Sequence, residues 1–212
     1  MKYDHIIWDW NGTLVNDAFL CVQIVNQILS ERDLSTVDIR FYRENFCFPV
    51  NQYYRLLGLP YNGKAYQKVS QSFIEEYRLS QHICNLHDSV PRILQTLQKQ
   101  NLNQSILSAG NQHDVSNFLK HHKIFDYFNV ISGVNHIYAN GKKEISLNHL
   151  KKIKTNPDKV LFVGDTLHDS EIAEIMNVDC VLFSKGHNSS EKLKEANRKV
   201  IGNLEEILRL ID

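Results

Sequence analysis

Asp9 ends the apolar run Ile6-Ile7-Trp8 and stands just before the turn residues Asn11-Gly12, so a carboxylate sits where a buried strand gives way to a tight polar loop. Much later, Val160-Leu161-Phe162-Val163-Gly164 runs into Asp165 and Asp169, two acids four residues apart. A lone Asp before Asn-Gly is normally a turn former or a helix cap. Two apolar strands that each stop at a carboxylate are different, because their ends can meet over one metal ion. Unbroken apolar runs fit strands covered on both faces, as in a parallel sheet. In open α/β sheets, ligands bind in the crevice beyond the carboxyl ends of the strands. Gly12 lets the backbone come close to a bound group there.

These segments resemble motifs of the haloacid dehalogenase superfamily. The first motif, D-x-D-G-[TV]-[LV], is similar to Asp9-Trp10-Asn11-Gly12-Thr13-Leu14, and the fourth, G-D-x-x-x-D, matches Gly164 to Asp169. The resemblance implies hydrolysis of a small phosphate monoester, with Asp9 attacking phosphorus to form an aspartyl-phosphate that water then cleaves. It implies Mg²⁺ held by the Asp9 carboxylate, the main-chain carbonyl of Asn11 and Asp165, with Asp169 as a further or water-mediated ligand. A hard cation with oxygen ligands suits a phosphate site. Ser108, with the Ala109 backbone beside it, resembles the second motif and would donate hydrogen bonds to the phosphoryl group. A lysine about one helix before the acidic motif is also implied. Gly141-Lys142-Lys143 offers two, of which Lys142, directly after the small residue, fits better.

One position departs from the pattern. Asn11 stands where most phosphatases of the family carry a second Asp, which protonates the leaving alkoxide and later activates water. General acid–base help of that kind is worth roughly a hundred- to ten-thousand-fold, and an amide cannot supply it. The open readings are a slower phosphatase, one restricted to leaving groups that need no proton, or a site that recruits another acid. His168 is the candidate acid, set against its reading as an exposed loop histidine. The alternative is a protein of the same fold that binds metal and phosphate without useful turnover. A dehalogenase would not need the paired acids, and a phosphonate hydrolase would need a Schiff-base lysine, for which Lys64 and Lys68 are undistinguished.

The intervening sequence must position these groups. After Asn16-Asp17, read as a helix cap, Ala18, Cys21, Val22, Val25, Ile28 and Leu29 recur at helical spacing. Short helices follow through the aromatic segment Phe41 to Tyr54, with Ser35 as a cap, and another from Tyr66 to Tyr77. No strand is predicted from Asp17 to Ser80. A helix entered at Pro91 then precedes strand 105–107, helix 114–122, strand 128–132, helix 145–153, strand 160–163, helix 169–176, strand 180–183 and a last helix from Asn203. Alternating strands and helices predict a Rossmann-like, mainly parallel sheet with helices on both faces. The all-helical block, residues 16–81, reads as an insertion into a core of residues 1–15 and 82–212, and placed just after the first strand it resembles the helical cap of the superfamily's phosphoglycolate phosphatase-like branch. The aromatic segment of this block is the expected seat of substrate choice.

Composition narrows the partners. The 212 residues are 42% hydrophobic and 23% charged, ordinary globular usage, and the 24 basic and 24 acidic side chains cancel. No basic field invites nucleic acid, so a small phosphorylated metabolite is expected, with the protein a monomer or homodimer. No apolar run suits a membrane span and no signal segment opens the chain, which points to a cytoplasmic protein. Cys21, Cys47, Cys84 and Cys180 lack C-x-x-C spacing and read as reduced core thiols. His82, His87 and His121-His122 lack ligand spacing and read as surface or capping residues, whereas His187 is placed at the pocket edge.

Overall fold

The computed structural model describes residues 1–134 and 142–211. Six strands, β1 (His5–Trp8), β2 (Asn103–Asn111), β3 (Val130–Val134), β4 (Val160–Gly164), β5 (Asp179–Phe183) and β6 (Lys199–Ile201), form one sheet in the order β3-β2-β1-β4-β5-β6, every pair parallel. Because β1 is central, both of its faces are covered, and Ile6, Ile7 and Trp8 are fully buried. Alternation along the strands divides the core. Ile6, Trp8, Leu161 and Val163 pack on one face, and Ile7, Leu107, Val160 and Phe162 on the other.

The first face is covered by α1 (Ala18–Ser30), α5 (Val90–Lys99) and α6 (Gln112–His121). The second meets α7 (Lys142–Ile153) and α8 (Leu167–Met176). Between β1 and β2 the chain forms helices and adds no strand to the sheet: α1, α2 (Ile39–Asn45), α3 (Val50–Leu56), α4 (Gly63–Ser80) and then α5. The short α9 (Ser190–Leu193) and α10 (Ile207–Leu210) flank β6. Among the described residues no helix is long and apolar enough to cross a membrane.

Several expectations are corrected. Asp38, not Ser35, caps α2, its carboxylate accepting from the Phe41 N–H at 2.7 Å. Asp17 occupies the cap position of α1 but gives the helix no side-chain bond, because its oxygens are engaged elsewhere. β6 was not anticipated: a three-residue edge strand leaves too little alternation to read. The final helix is a 3₁₀ turn capped by Asn203, followed by α10. α7 begins at Lys142, earlier than its apolar pattern suggests, while Gly141 lies outside the described residues.

α7 is pinned to the sheet by a buried polar chain. Ser132 Oγ meets His149 Nδ1 at 2.8 Å, His149 Nε2 meets Ser105 Oγ at 2.9 Å, and Ser105 Oγ meets His5 Nε2 at 2.7 Å. Burial pushes His5 down to about 4 and, with nearby positive charge, His149 down to about 3. Both rings are neutral in the fold, so the unfolded chain takes up protons first as pH falls. Stability contributed above pH ~6.5 is therefore lost progressively below it, by roughly 1.4 kcal/mol per histidine per pH unit. The expected result is a melting temperature several degrees lower at pH 5.5 than at pH 7. In the double variant His5→Gln, His149→Gln that slope flattens, and an unchanged slope would refute the account.

Candidate active site

Register alone brings the two acidic strand ends together. Trp8 pairs with Val163 of β4 and with Ile106 of β2, so one step further Asp9 lies level with Gly164 and Leu107, with Ser108 the next residue of β2. The Asp9 N–H donates to the Val163 carbonyl at 2.8 Å. β1 and β4 are also where the strand order reverses, the crevice in which open α/β sheets bind ligands.

Asp9, Asp165 and Asp169 each present a carboxylate oxygen within 4.8 Å of the others, and all three are buried. Lys142, 2% exposed, reaches from the start of α7 to donate to Asp9 Oδ1 and, at 2.6 Å, to Asp169 Oδ1. Lys143 is exposed. Burial raises Asp9 well above the usual carboxylate range, against the pull of Lys142, and pushes Asp165 up to about 6. Burial acts the same way on Asp169, but the Lys142 ammonium and the hydrogen bonds outweigh it and hold that carboxyl low. The same carboxylates keep Lys142 protonated despite its burial.

Asp169 is a builder of the site as well as a charge in it. Its Oδ2 accepts from Asp165 N at 3.0 Å, Thr166 N at 2.9 Å and Thr166 Oγ1 at 2.7 Å, closing a capping box on α8. Asp165 is fixed by Thr13 Oγ1 at 2.9 Å and by the His187 N–H at 2.6 Å. A methyl group on Gly12 or Gly186 would overlap the Asp165 carboxylate, so both positions require glycine for close approach.

Three carboxylates against one ammonium leave two negative charges if all ionise, and the donors are oxygens. The set fits a hard divalent cation.

Ser108 is buried at the end of β2, its Oγ accepting from the Gly110 N–H at 3.0 Å. Ser108, Ala109, Asn11, Asp9, Lys142, Asp165 and Asp169 all line one cavity of about 200 Å³. The structure therefore places every residue singled out for the site around a single space.

Asn11 is tied down by groups the sequence did not flag. Its Nδ2 donates to Asp17 Oδ2 at 2.7 Å and to the Tyr77 hydroxyl at 2.8 Å, while Tyr77 donates to the same Asp17 oxygen at 2.6 Å. The other Asp17 oxygen accepts from Gly12 N at 2.8 Å and faces His187 Nε2 at 3.3 Å. His187 Nδ1 lies 2.8 Å from the Tyr42 hydroxyl. Burial would discharge this imidazole, but Asp17 and then the site carboxylates outweigh it and push His187 up to about 9. In turn His187, Tyr77 and Asn11 hold Asp17 low in spite of burial.

His187 thus lines the cavity as expected, is buried, and is held toward its charged form by Asp17. Asp17 is its counterion rather than a cap, and Cys21 Sγ lies within 4.8 Å of both. His168 is not an exposed loop residue: it lies in the first turn of α8, 3.0 Å from Glu171 and stacked on Phe48 with centroids 4.9 Å apart. His87 contacts the Gly12 carbonyl at 3.1 Å. Its signal and that of Asp17 were absent from spacing, since both act across the fold.

Residues 6–183 match the family model described as haloacid dehalogenase-like hydrolase. Among curated proteins, pyrophosphatase PpaX of Bacillus cereus is 25% identical over 183 residues, 80% of this chain and 77% of that protein. Tyrosine-protein kinase PtkA of Mycobacterium tuberculosis is 22% identical over 205 residues, 92% of this chain and 67% of that protein. Among solved structures, a predicted phosphoglycolate phosphatase from Haemophilus somnus superposes with a TM-score of 0.77 at 18% identity, covering 100% of this chain and 99% of the other.

Proposed function

The chain belongs to the haloacid dehalogenase-like hydrolases, and from that membership we propose that it hydrolyses a small phosphate monoester with Asp9 as the nucleophile. The observation that carries the proposal is the buried group Asp9, Asp165, Asp169 and Lys142 lining one cavity. PpaX and the H. somnus protein bear names of phosphate-releasing enzymes, which agrees with it.

Asp9 lines the cavity with Lys142 holding its Oδ1, which leaves the other oxygen to attack phosphorus and form an aspartyl-phosphate as the ester oxygen leaves. Lys142 and the Ser108 hydroxyl then meet the phosphoryl oxygens. Asp9, Asp165 and the Asn11 main-chain carbonyl, with Asp169 beside them, would hold Mg²⁺, which when bound would supply positive charge to offset repulsion between nucleophile and phosphate. The helices of residues 16–81 act as a cap that excludes bulk water during the first step.

The test is release of phosphate from acetyl phosphate in Mg²⁺, in EDTA, and with Asp9→Asn as the blank. Turnover that needs both the metal and Asp9 supports the reading. Rates equal to the blank on acetyl phosphate and across a wider phosphate-ester panel overturn it.

The Asn11 geometry yields a further prediction. In Asn11→Asp a carboxylate replaces the amide that donates to Asp17 at 2.7 Å, so the two acids must share a proton. We expect a loss of about 1–3 kcal/mol in stability and a gain of up to roughly a hundredfold on alkyl phosphates, whose leaving group needs protonation. Acetyl phosphate, with a good leaving group, gains little. Equal gains on both would show that Asn11 does not limit protonation.

A further inference from the structure

The leaving group of a substrate whose phosphorus sits over Asp9 must enter the cavity above it, and the walls of that cavity describe what it is. They come largely from the helices between β1 and β2, and are aromatic: Tyr42, Phe46, Phe48, Tyr53, Phe73 and Tyr77. The rings contact one another, with centroids 5.0 Å apart for Tyr42–Phe46, 5.7 Å for Tyr42–Tyr53 and 5.3 Å for Phe46–Phe48.

Positive charge is scarce among the described residues there. Arg78 is the one arginine of the lining and is paired with Asp114 at 2.8 Å, while Lys142 and His187 are committed to the site's own carboxylates. Among the described residues of this wall, no lysine or arginine without a carboxylate partner is available to a second anionic group, such as the carboxylate of phosphoglycolate.

Two further observations agree. Asn11 cannot give a proton to the departing oxygen. A phenol, with a pKa of about 10, leaves without one far more readily than an alcohol near the value of water, about 16. Tyr53 and Ser70, 2% and 8% exposed, also line the cavity, and their buried hydroxyls have no hydrogen-bond partner among the described residues.

Resting on the phosphatase reading, we propose that the substrate is a small aryl phosphate, the phosphoric monoester of a phenol, whose ring lies among Tyr42, Phe46 and Tyr53. A polar substituent on the ring is met by the Tyr53 and Ser70 hydroxyls. The Asp9 carboxylate forms the new bond to phosphorus, and the phosphorus–oxygen bond breaks with its electron pair going to the phenolate. Water then cleaves the aspartyl-phosphate, and its proton ends on the phenolate through solvent, so phenol and phosphate are the products.

The experiment compares kcat/KM in Mg²⁺ for phenyl phosphate, 3-hydroxyphenyl phosphate, 2-phosphoglycolate and acetyl phosphate. It is accompanied by calorimetric binding of phenylphosphonate and methylphosphonate to Asp9→Asn. We expect phenyl phosphate to exceed phosphoglycolate by on the order of a hundredfold, and phenylphosphonate to bind roughly tenfold or more tightly than methylphosphonate. Tyr53→Phe, which keeps the ring, should lower the preference for the 3-hydroxy compound over phenyl phosphate by about fivefold to tenfold.

Equal binding of the two phosphonates, or phosphoglycolate equalling phenyl phosphate, overturns the proposal. So does turnover of acetyl phosphate with silence on both aryl esters, which leaves the phosphatase reading standing. Silence on all four compounds removes both.

Discussion

Lys142→Met should unfold the metal-free protein at a markedly lower temperature while almost eliminating turnover. The ammonium is buried and donates to Asp9 and Asp169, and no other lysine or arginine contacts these carboxylates among the described residues. Removing one partner of a buried ion pair leaves uncompensated charge and costs about 3–5 kcal/mol. In a chain of this size each kcal/mol moves the melting temperature by roughly 2–4 °C, so a fall on the order of 10 °C is expected. Activity falls by roughly a hundred- to a thousandfold as the phosphoryl charge loses its fixed counter-charge. Mg²⁺ should restore part of the lost stability, because a divalent cation offsets the same carboxylates. A variant that melts like the parent in EDTA would show that Lys142 does not hold the cluster together. The measurements are melting curves in EDTA and Mg²⁺ and phosphate release from acetyl phosphate.

Asp9→Asn separates stability from function in the opposite direction. Burial makes the charged form of Asp9 unfavourable, and Asp169 and Asp165 add repulsion. Replacing it with a neutral isostere relieves that crowding, so the metal-free variant should melt at or above the parent temperature. The stabilisation by Mg²⁺, which follows RT ln(1 + [Mg²⁺]/Kd), should shrink as the site loses a carboxylate. Turnover should fall by roughly ten-thousand-fold or more, since an amide cannot attack phosphorus in place of the carboxylate. A variant that retains activity would exclude Asp9 as the attacking group. A variant that loses stability would mean that the Lys142 contact outweighs the repulsion.

These two residues were legible in the sequence to different degrees. Asp9 announced itself by ending an apolar run before Asn-Gly, a local pattern. Lys142 was separated from Lys143 only by resemblance, and it took the start of α7 to show that one turns inward to the carboxylates and the other to solvent. Thr13 lay within a quoted motif, yet its task of fixing Asp165 across 152 residues is not written in its neighbours.

The surroundings of Asn11 were legible least of all. Asp17 had every local mark of a helix cap, and its use as the shared acceptor for Gly12, Asn11 and Tyr77 depends on where α4 packs against α1. The aromatic segment Phe41 to Tyr54 was tied to substrate choice by composition. Tyr42, Phe46, Phe48, Tyr53 and Tyr54 do line the cavity, and Phe41 turns out to be exposed.

By itself the sequence determined what is written in short range. The apolar runs specified strands, the three- and four-residue spacings specified helices, and their alternation specified a parallel α/β sheet with a helical insertion. The acids at two strand ends followed from the same local reading. The tertiary structure decided which strands are neighbours, and hence that Asp9 lies beside Asp165, that His187 is charged against Asp17, and that one lysine of two completes the cluster. Periodicity fixes which face of an element is buried, because burial of that face has a local signature. It does not fix the partner across a sheet or a cap–core interface, because those contacts join residues from about twenty to more than a hundred and fifty positions apart and depend on register and packing.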